Sequence, residues 1–182
     1  MNRFSFYLEF PNGDVGDLDR RGALDVNRVY VEQENLHPKA RMYHQSDQVI
    51  IILGTPIANH VSRDQETLVL LRESRSLINF ARSLNGSFLI IIYSKKHDRL
   101  SIINDRFASL AFFYRLEGEM LKGALSLLHL KSKLSGQVRD NREAIFEFLY
   151  FRRSLAEKTL LTDVSYLTSA AILTMENGRI SV

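Results

Sequence analysis

The stretch "LNGSFLIIIYSKKHDRLSIINDRFASLAFFYRL", residues 84–116, decides the fold. Phe88 to Tyr93 is an uninterrupted apolar run, far too short to span a bilayer and suited to a strand buried on both faces. The polar residues Ser94-Lys95-Lys96-His97-Asp98 then make a hairpin loop, and Arg99 to Asn104 returns as the partner strand. Strands are therefore expected over 87–94 and 99–104. Ala111 to Leu116 and Glu119 to Lys122 form a second pair, turning at Glu117-Gly118.

Upstream, "SRDQETLVLLRESRSLINFARSLNG" reads as one helix. Ser62 is its N-cap, acidic residues fill the first turn, and Gly86 follows the last periodic position. Leu68, Leu71, Arg75 and Ile78 trace one stripe, and Leu70, Leu77, Ala81 and Leu84 a neighbouring one, giving a wide apolar face. Before it, Gln48 to Leu53 is a strong strand halted by Gly54 and Pro56. Phe4, Phe6, Leu8 and Phe10 alternate with polar residues, the period of a strand with one buried face, closed by the turn Pro11-Asn12-Gly13-Asp14. The segment between is polar and weakly periodic, with one short strand expected over Arg28–Glu32.

Downstream, a helix is expected over Ala124–Leu134, ended by Ser135-Gly136. "DNREAIFEFLYFRRSL" supplies another, with Asp140 as cap and Glu143 three residues on. Its Ile145, Phe148, Leu149 and Arg152 fit a helix packed on a sheet. Ala170 to Thr174, a turn at Glu176-Asn177-Gly178 and Arg179 to Val182 close the chain as a hairpin. Hairpins mixed with helices argue for the α+β class.

The bulk properties narrow the functions. A chain of 182 residues suits one compact domain, residues 1–182. The net charge of +3 and pI near 9.2 are mild, and no aromatic-spaced basic stripe accompanies Lys95-Lys96 or Arg152-Arg153. Neither a nucleic-acid nor a membrane partner is expected. The sequence contains no cysteine, which excludes disulfides, Cys-ligated metal and thiol catalysis, and accords with a cytoplasmic location. His37, His44, His60, His97 and His129 stand in no ligand spacing, so no metal is expected in this chain. No G-x-S-x-G elbow, Walker A loop or G-x-G-x-x-G turn is present.

Weak motifs in a fixed order carry a resemblance. Leu84-Asn85-Gly86, Phe88, Asp105-Arg106-Phe107 and Phe113-Tyr114 resemble the class II glutamine amidotransferase domain of the asparagine synthetase family. That domain has a Leu-Asn-Gly-x-Phe strand, a hairpin, Arg-Asp-x-x-Gly and a Pro-Leu-Tyr-Tyr strand. Val49 to His60 resembles the family's strand and loop Asn-Gly-Glu-Ile-Tyr-Asn-His, and residues 142–182 resemble its closing segment. The likeness covers residues 47–182, with residues 1–10 agreeing by position. It implies the N-terminal-nucleophile hydrolase fold: a four-layer α/β/β/α sandwich of two antiparallel sheets.

The resemblance also implies a defect. The family's nucleophile is an N-terminal Cys, and the equivalent position here is Asn2, whose carboxamide is no nucleophile. Ser5 is no substitute, because the strand places it away from the terminus. The family's oxyanion pair Asn-Gly reads Leu53-Gly54, keeping the backbone donor and losing the side-chain amide. One such donor is worth roughly 100- to 1000-fold in rate. The loop Thr55–Ala58 is one residue longer than the family's, ahead of Asn59. Asp105 matches the carboxylate that holds the substrate ammonium, and the substrate-holding Arg has no counterpart in the unmatched region. Gly54, Asn59 and Asp105 are thus the expected remnant of a glutamine pocket, with no catalytic residue among them.

The expectation is a degenerate domain without glutaminase activity. It would act as the docking partner of an ATP-dependent amide-forming enzyme of the β-lactam synthetase or lasso-peptide cyclase type. No cofactor is expected in this chain, which lacks a Ser-Gly-Gly-x-Asp-Ser loop and ends where the amidotransferase domain ends. ATP and Mg²⁺ would belong to the partner domain. The alternative is a free-standing module holding an amino acid or peptide in the remnant pocket. Docking would require a broad apolar patch on the folded surface.

Overall fold

The computed structural model describes residues 5–11, 29–34, 40–118, 120–152, 155–176 and 178–182. In chain order its elements are β1 (Ser5–Pro11), β2 (Val29–Glu34), β3 (Ala40–Gln45), β4 (Gln48–Ile57), α1 (Asp64–Glu73), α2 (Leu77–Ser83), β5 (Asn85–Ser94) and β6 (Arg99–Asn104). There follow β7 (Phe113–Glu117), β8 (Met120–Ala124), α3 (Leu127–Lys133), α4 (Arg142–Phe151), β9 (Ser165–Tyr166), β10 (Ile172–Glu176) and β11 (Arg179–Ser181). They build an α+β chain with two sheets, in orders β2-β1-β8-β7-β9 and β11-β10-β6-β5-β4-β3. The described pairings are antiparallel apart from β1 with β8, which run parallel. Two sheets with helices bear out the expected class. The chain divides into two compact units, one around each sheet.

The six-stranded sheet is deeply buried at its centre. Val49 to Leu53 and Phe88 to Tyr93 are all buried, as uninterrupted apolar runs require. On one face Ile50, Ile52, Phe88, Ile90, Ile92 and Ile103 pack with Phe80 and Leu84, and Leu68, Leu71, Leu77 and Ala81 close over them. Phe80 is fully buried on α2, so truncation to Ala would cost about 3–5 kcal/mol.

The expected strand break at Gly54 and Pro56 does not occur; β4 runs on to Ile57. Among the described residues its pairing with β3 reaches Leu53, and its pairing with β5 continues to Ile57. Gly54 and Gly86 make this crossing possible. Their φ values are +78° and +93°, and a Cβ would sit 2.2 Å from the carbonyl oxygens of Ser87 and Thr55 respectively. Gly86 therefore belongs to β5 and not to a helix end.

The long helix expected over residues 62–86 is two helices. The Ser74 hydroxyl donates to the Leu70 carbonyl at 2.7 Å, and the Ser76 hydroxyl accepts from Asn79 N at 3.2 Å, so one serine ends α1 and another starts α2. The break rotates Ile78 off the apolar stripe, and it is exposed. Ser62 does not cap α1: the N-cap is Arg63, which makes no side-chain cap.

In the other unit, Ala124, Leu130, Leu161 and Val164 form a core with Phe113, Leu127 and Leu134. The helix expected from Ala124 begins at Leu127, because Ala124 completes β8 and Ser126 caps α3 by accepting from His129 N. Asn141, and not Asp140, caps α4, accepting from Ala144 N at 3.2 Å. Asp140 instead forms an isolated bridge with Leu161. The expectation that α4 packs on a sheet fails: only Ala144 is buried, while Phe146, Phe148, Leu149, Tyr150 and Phe151 are exposed. Among the described residues no helix is long and apolar enough to cross a membrane.

Candidate functional site

Asp105 follows β6 directly, and its side chain is 1% exposed. A buried carboxylate needs donors, and the local backbone supplies them. One oxygen accepts from Phe107 N at 2.8 Å and from the Ser109 hydroxyl at 3.1 Å. The other accepts from Phe88 N and Ser109 N, both at 3.1 Å. The Asp105 carbonyl accepts from Ala108 N and Ala170 N, which fastens the loop after β6 to the segment before β10. Phe107 projects from that loop and is 83% exposed.

Gly54 lies opposite Phe88 across the β4–β5 ladder. Phe88 also bonds Asp105 through both its N–H and its carbonyl, so Gly54 and Asp105 flank one residue. Leu53, standing where the family's amide is expected, is fully buried. Asn59 is not brought to them. It is exposed, at φ +50°, in a turn past β4 closed by two backbone bonds between Ala58 and Val61. Asn2 lies outside the described residues, as does His37. Ser5, the residue considered as a substitute, opens β1 opposite Met120.

A polar constellation that sequence reading missed sits beside Gly54. Arg41, Tyr43 and Asp64 meet where β3 faces the start of α1. The Arg41 Nε and the Tyr43 hydroxyl both donate to Asp64 Oδ2, and Arg41 Nη2 donates to Asp64 Oδ1 at 3.0 Å. The same Nη2 donates to the Gly54 carbonyl at 2.7 Å. Burial pushes the Tyr43 hydroxyl up to about 12, and the adjacent Asp64 carboxylate adds to the rise. Asp64 holds the Arg41 guanidinium above its ordinary range against the opposing effect of burial. A shallow cleft of about 520 Å³ opens here, lined also by Thr55, Arg63 and Gln65. The sequence signal was Arg41 and Tyr43 two apart, hence on one strand face. It was lost because β3 is an edge strand without a run of apolar residues.

No cluster of three or more His, Asp and Glu with metal-holding geometry occurs among the described residues. A family model for the glutamine amidotransferase domain matches residues 56–182, including β5, β6, Asp105 and every later element. No curated protein matches the sequence. The matched span covers well over half of the chain and coincides with the strands, loop and closing hairpin just described, so the chain belongs to the glutamine amidotransferase domain family.

Proposed function

We propose that this chain is a glutamine amidotransferase domain without glutaminase activity. In this reading it serves as the docking partner of an asparagine-synthetase-like, ATP-dependent amide-forming enzyme of the β-lactam synthetase or lasso-peptide cyclase type. The observation that carries docking is α4. Five large apolar side chains stand exposed along its 10 residues, a density that isolated surface hydrophobes do not reach. The acidic residues of α4 are occupied: Lys158 bonds Glu143 and Glu147, each at 2.7 Å. Arg142 and Arg152 remain exposed at the two ends. An apolar partner groove with an acidic rim complements this face. A second copy of the chain, laid antiparallel, would instead oppose Arg142 to Arg152.

Inactivity rests on chemistry. The 182 residues include no cysteine, so no thiolate is available to attack an amide. Asp105 already accepts from Phe88, Phe107 and Ser109, which favours a structural role over holding an ammonium group. The same observation weighs against an amino-acid-binding module built on Gly54, Asn59 and Asp105. ATP and Mg²⁺ would then be held by the partner.

A photo-crosslinking residue replacing Phe148 tests the docking. The reading expects capture of a protein carrying an ATP-pyrophosphatase-type synthetase domain, with no such capture from Lys131 on α3. Capture of no such protein from Phe148, or equal capture from Lys131, would refute it.

A further inference from the structure

A second cleft, of about 440 Å³, lies within the six-stranded sheet's unit at the end of the sheet remote from Asp105. Its floor is set by register. On the helix-covered face, β5 presents Ile90 and Ile92, then Ser94, and β6 presents Ile103, then Ser101 opposite Ile92, then Arg99 opposite Ser94. The apolar floor thus gives way to hydroxyl and guanidinium groups where the helical cover breaks between α1 and α2. That break brings Arg72 and Arg75 to the rim.

The lining is rich in hydrogen-bond donors. Ser94 and Ser101 are 5% and 2% exposed, and both line the cleft. Gln45 Nε2 is buried with no partner. No ion pair or hydrogen bond engages the guanidinium of Arg72, Arg75 or Arg99 among the described residues. One carboxylate, Asp47, faces the three arginines, leaving two positive charges in the lining. A buried amide without a partner, beside three guanidinium groups and two serines, favours an anionic acceptor in the cleft.

We propose that this cleft binds a phosphoryl group, as inorganic phosphate or as a phosphate ester. Arg75 and Arg99 grip its oxygens in bidentate fashion, and Ser94, Ser101 and Gln45 complete its coordination. The volume exceeds that of one phosphate, and Leu71, Leu77 and Ile92 give the remainder an apolar wall for an ester's organic part.

Calorimetric and ³¹P NMR titrations of the full chain with inorganic phosphate and with phenyl phosphate, at matched ionic strength, test this. Saturable binding is expected. Arg75→Ala with Arg99→Ala should weaken it by about tenfold or more, and Lys131→Ala should leave it unchanged. Arg72→Ala, at an exposed side chain, gives a weaker loss with no risk to the core. Tighter binding of phenyl phosphate identifies an ester as the ligand, and equal binding identifies free phosphate. Absence of saturation by about 10 mM, an effect reproduced by chloride, or unchanged affinity in the arginine variants would overturn the proposal.

Discussion

Replacing Asp105 with Ala removes the acceptor for three backbone N–H groups and one hydroxyl. These losses are unequal. Phe88 is 2% exposed, so its N–H finds no water and carries the full cost of a buried unsatisfied donor, about 1–3 kcal/mol. Phe107 and Ser109 lie in an exposed loop, where water replaces the carboxylate and each lost bond costs about 0.5–1.5 kcal/mol. Together the substitution should destabilise the chain by about 3–5 kcal/mol. At about 2–4 °C per kcal/mol for a chain of this size, the melting temperature should fall by about 10 °C. Asp105→Asn keeps one carbonyl oxygen and should lose about half as much. Urea unfolding followed by circular dichroism reads both values. If Asp105→Ala lies within about 0.5 kcal/mol of wild type, the carboxylate is not a structural acceptor and the argument against its holding a ligand fails.

The two glycines of the β4–β5 crossing allow a comparison with a third. Gly54→Ala and Gly118→Ala both place a Cβ at positive φ, but Gly54's would meet the Ser87 carbonyl at 2.2 Å and Gly118's meets nothing within 4 Å. Gly118→Ala should cost about 1–2 kcal/mol and Gly54→Ala at least about 2 kcal/mol more, measured by the same unfolding experiment. Tyr43 gives a pH prediction. Its hydroxyl is raised from 10.0 to about 12, so the neutral form is favoured when folded. The stability it contributes is complete below about pH 10 and is lost as pH rises through about 12. Ultraviolet titration should show a tyrosine ionising near pH 12 that is absent in Tyr43→Phe; identical curves would contradict the Arg41–Tyr43–Asp64 arrangement.

Legibility in the sequence followed physical redundancy. The stretches Val49–Leu53 and Phe88–Tyr93 were readable because burial on both faces leaves only apolar residues at consecutive positions, and Arg99–Asn104 was readable from the hairpin loop before it. The closing hairpin was readable from its turn. β3 was not, since an edge strand carrying Arg41, Tyr43 and Gln45 on one face has no such run. The break at Ser74–Ser76 was hidden because the apolar positions continue at helical spacing through it, and only competition from serine hydroxyls ends α1. α4 shows the limit of periodicity most clearly. Its pattern reports that residues are apolar, not what covers them, and five of them are uncovered. At the site, motif order singled out Asp105. Of the bonds that occupy it, those from Phe107 and Ser109 are local, but the one from Phe88 spans 17 residues and no local spacing reveals it.

Release of ammonia from glutamine by the purified chain is the most direct test of the central claim. The account predicts a rate indistinguishable from buffer at any glutamine concentration, unchanged by Asp105→Asn. Ammonia release that scales with protein concentration and disappears in that variant would contradict it.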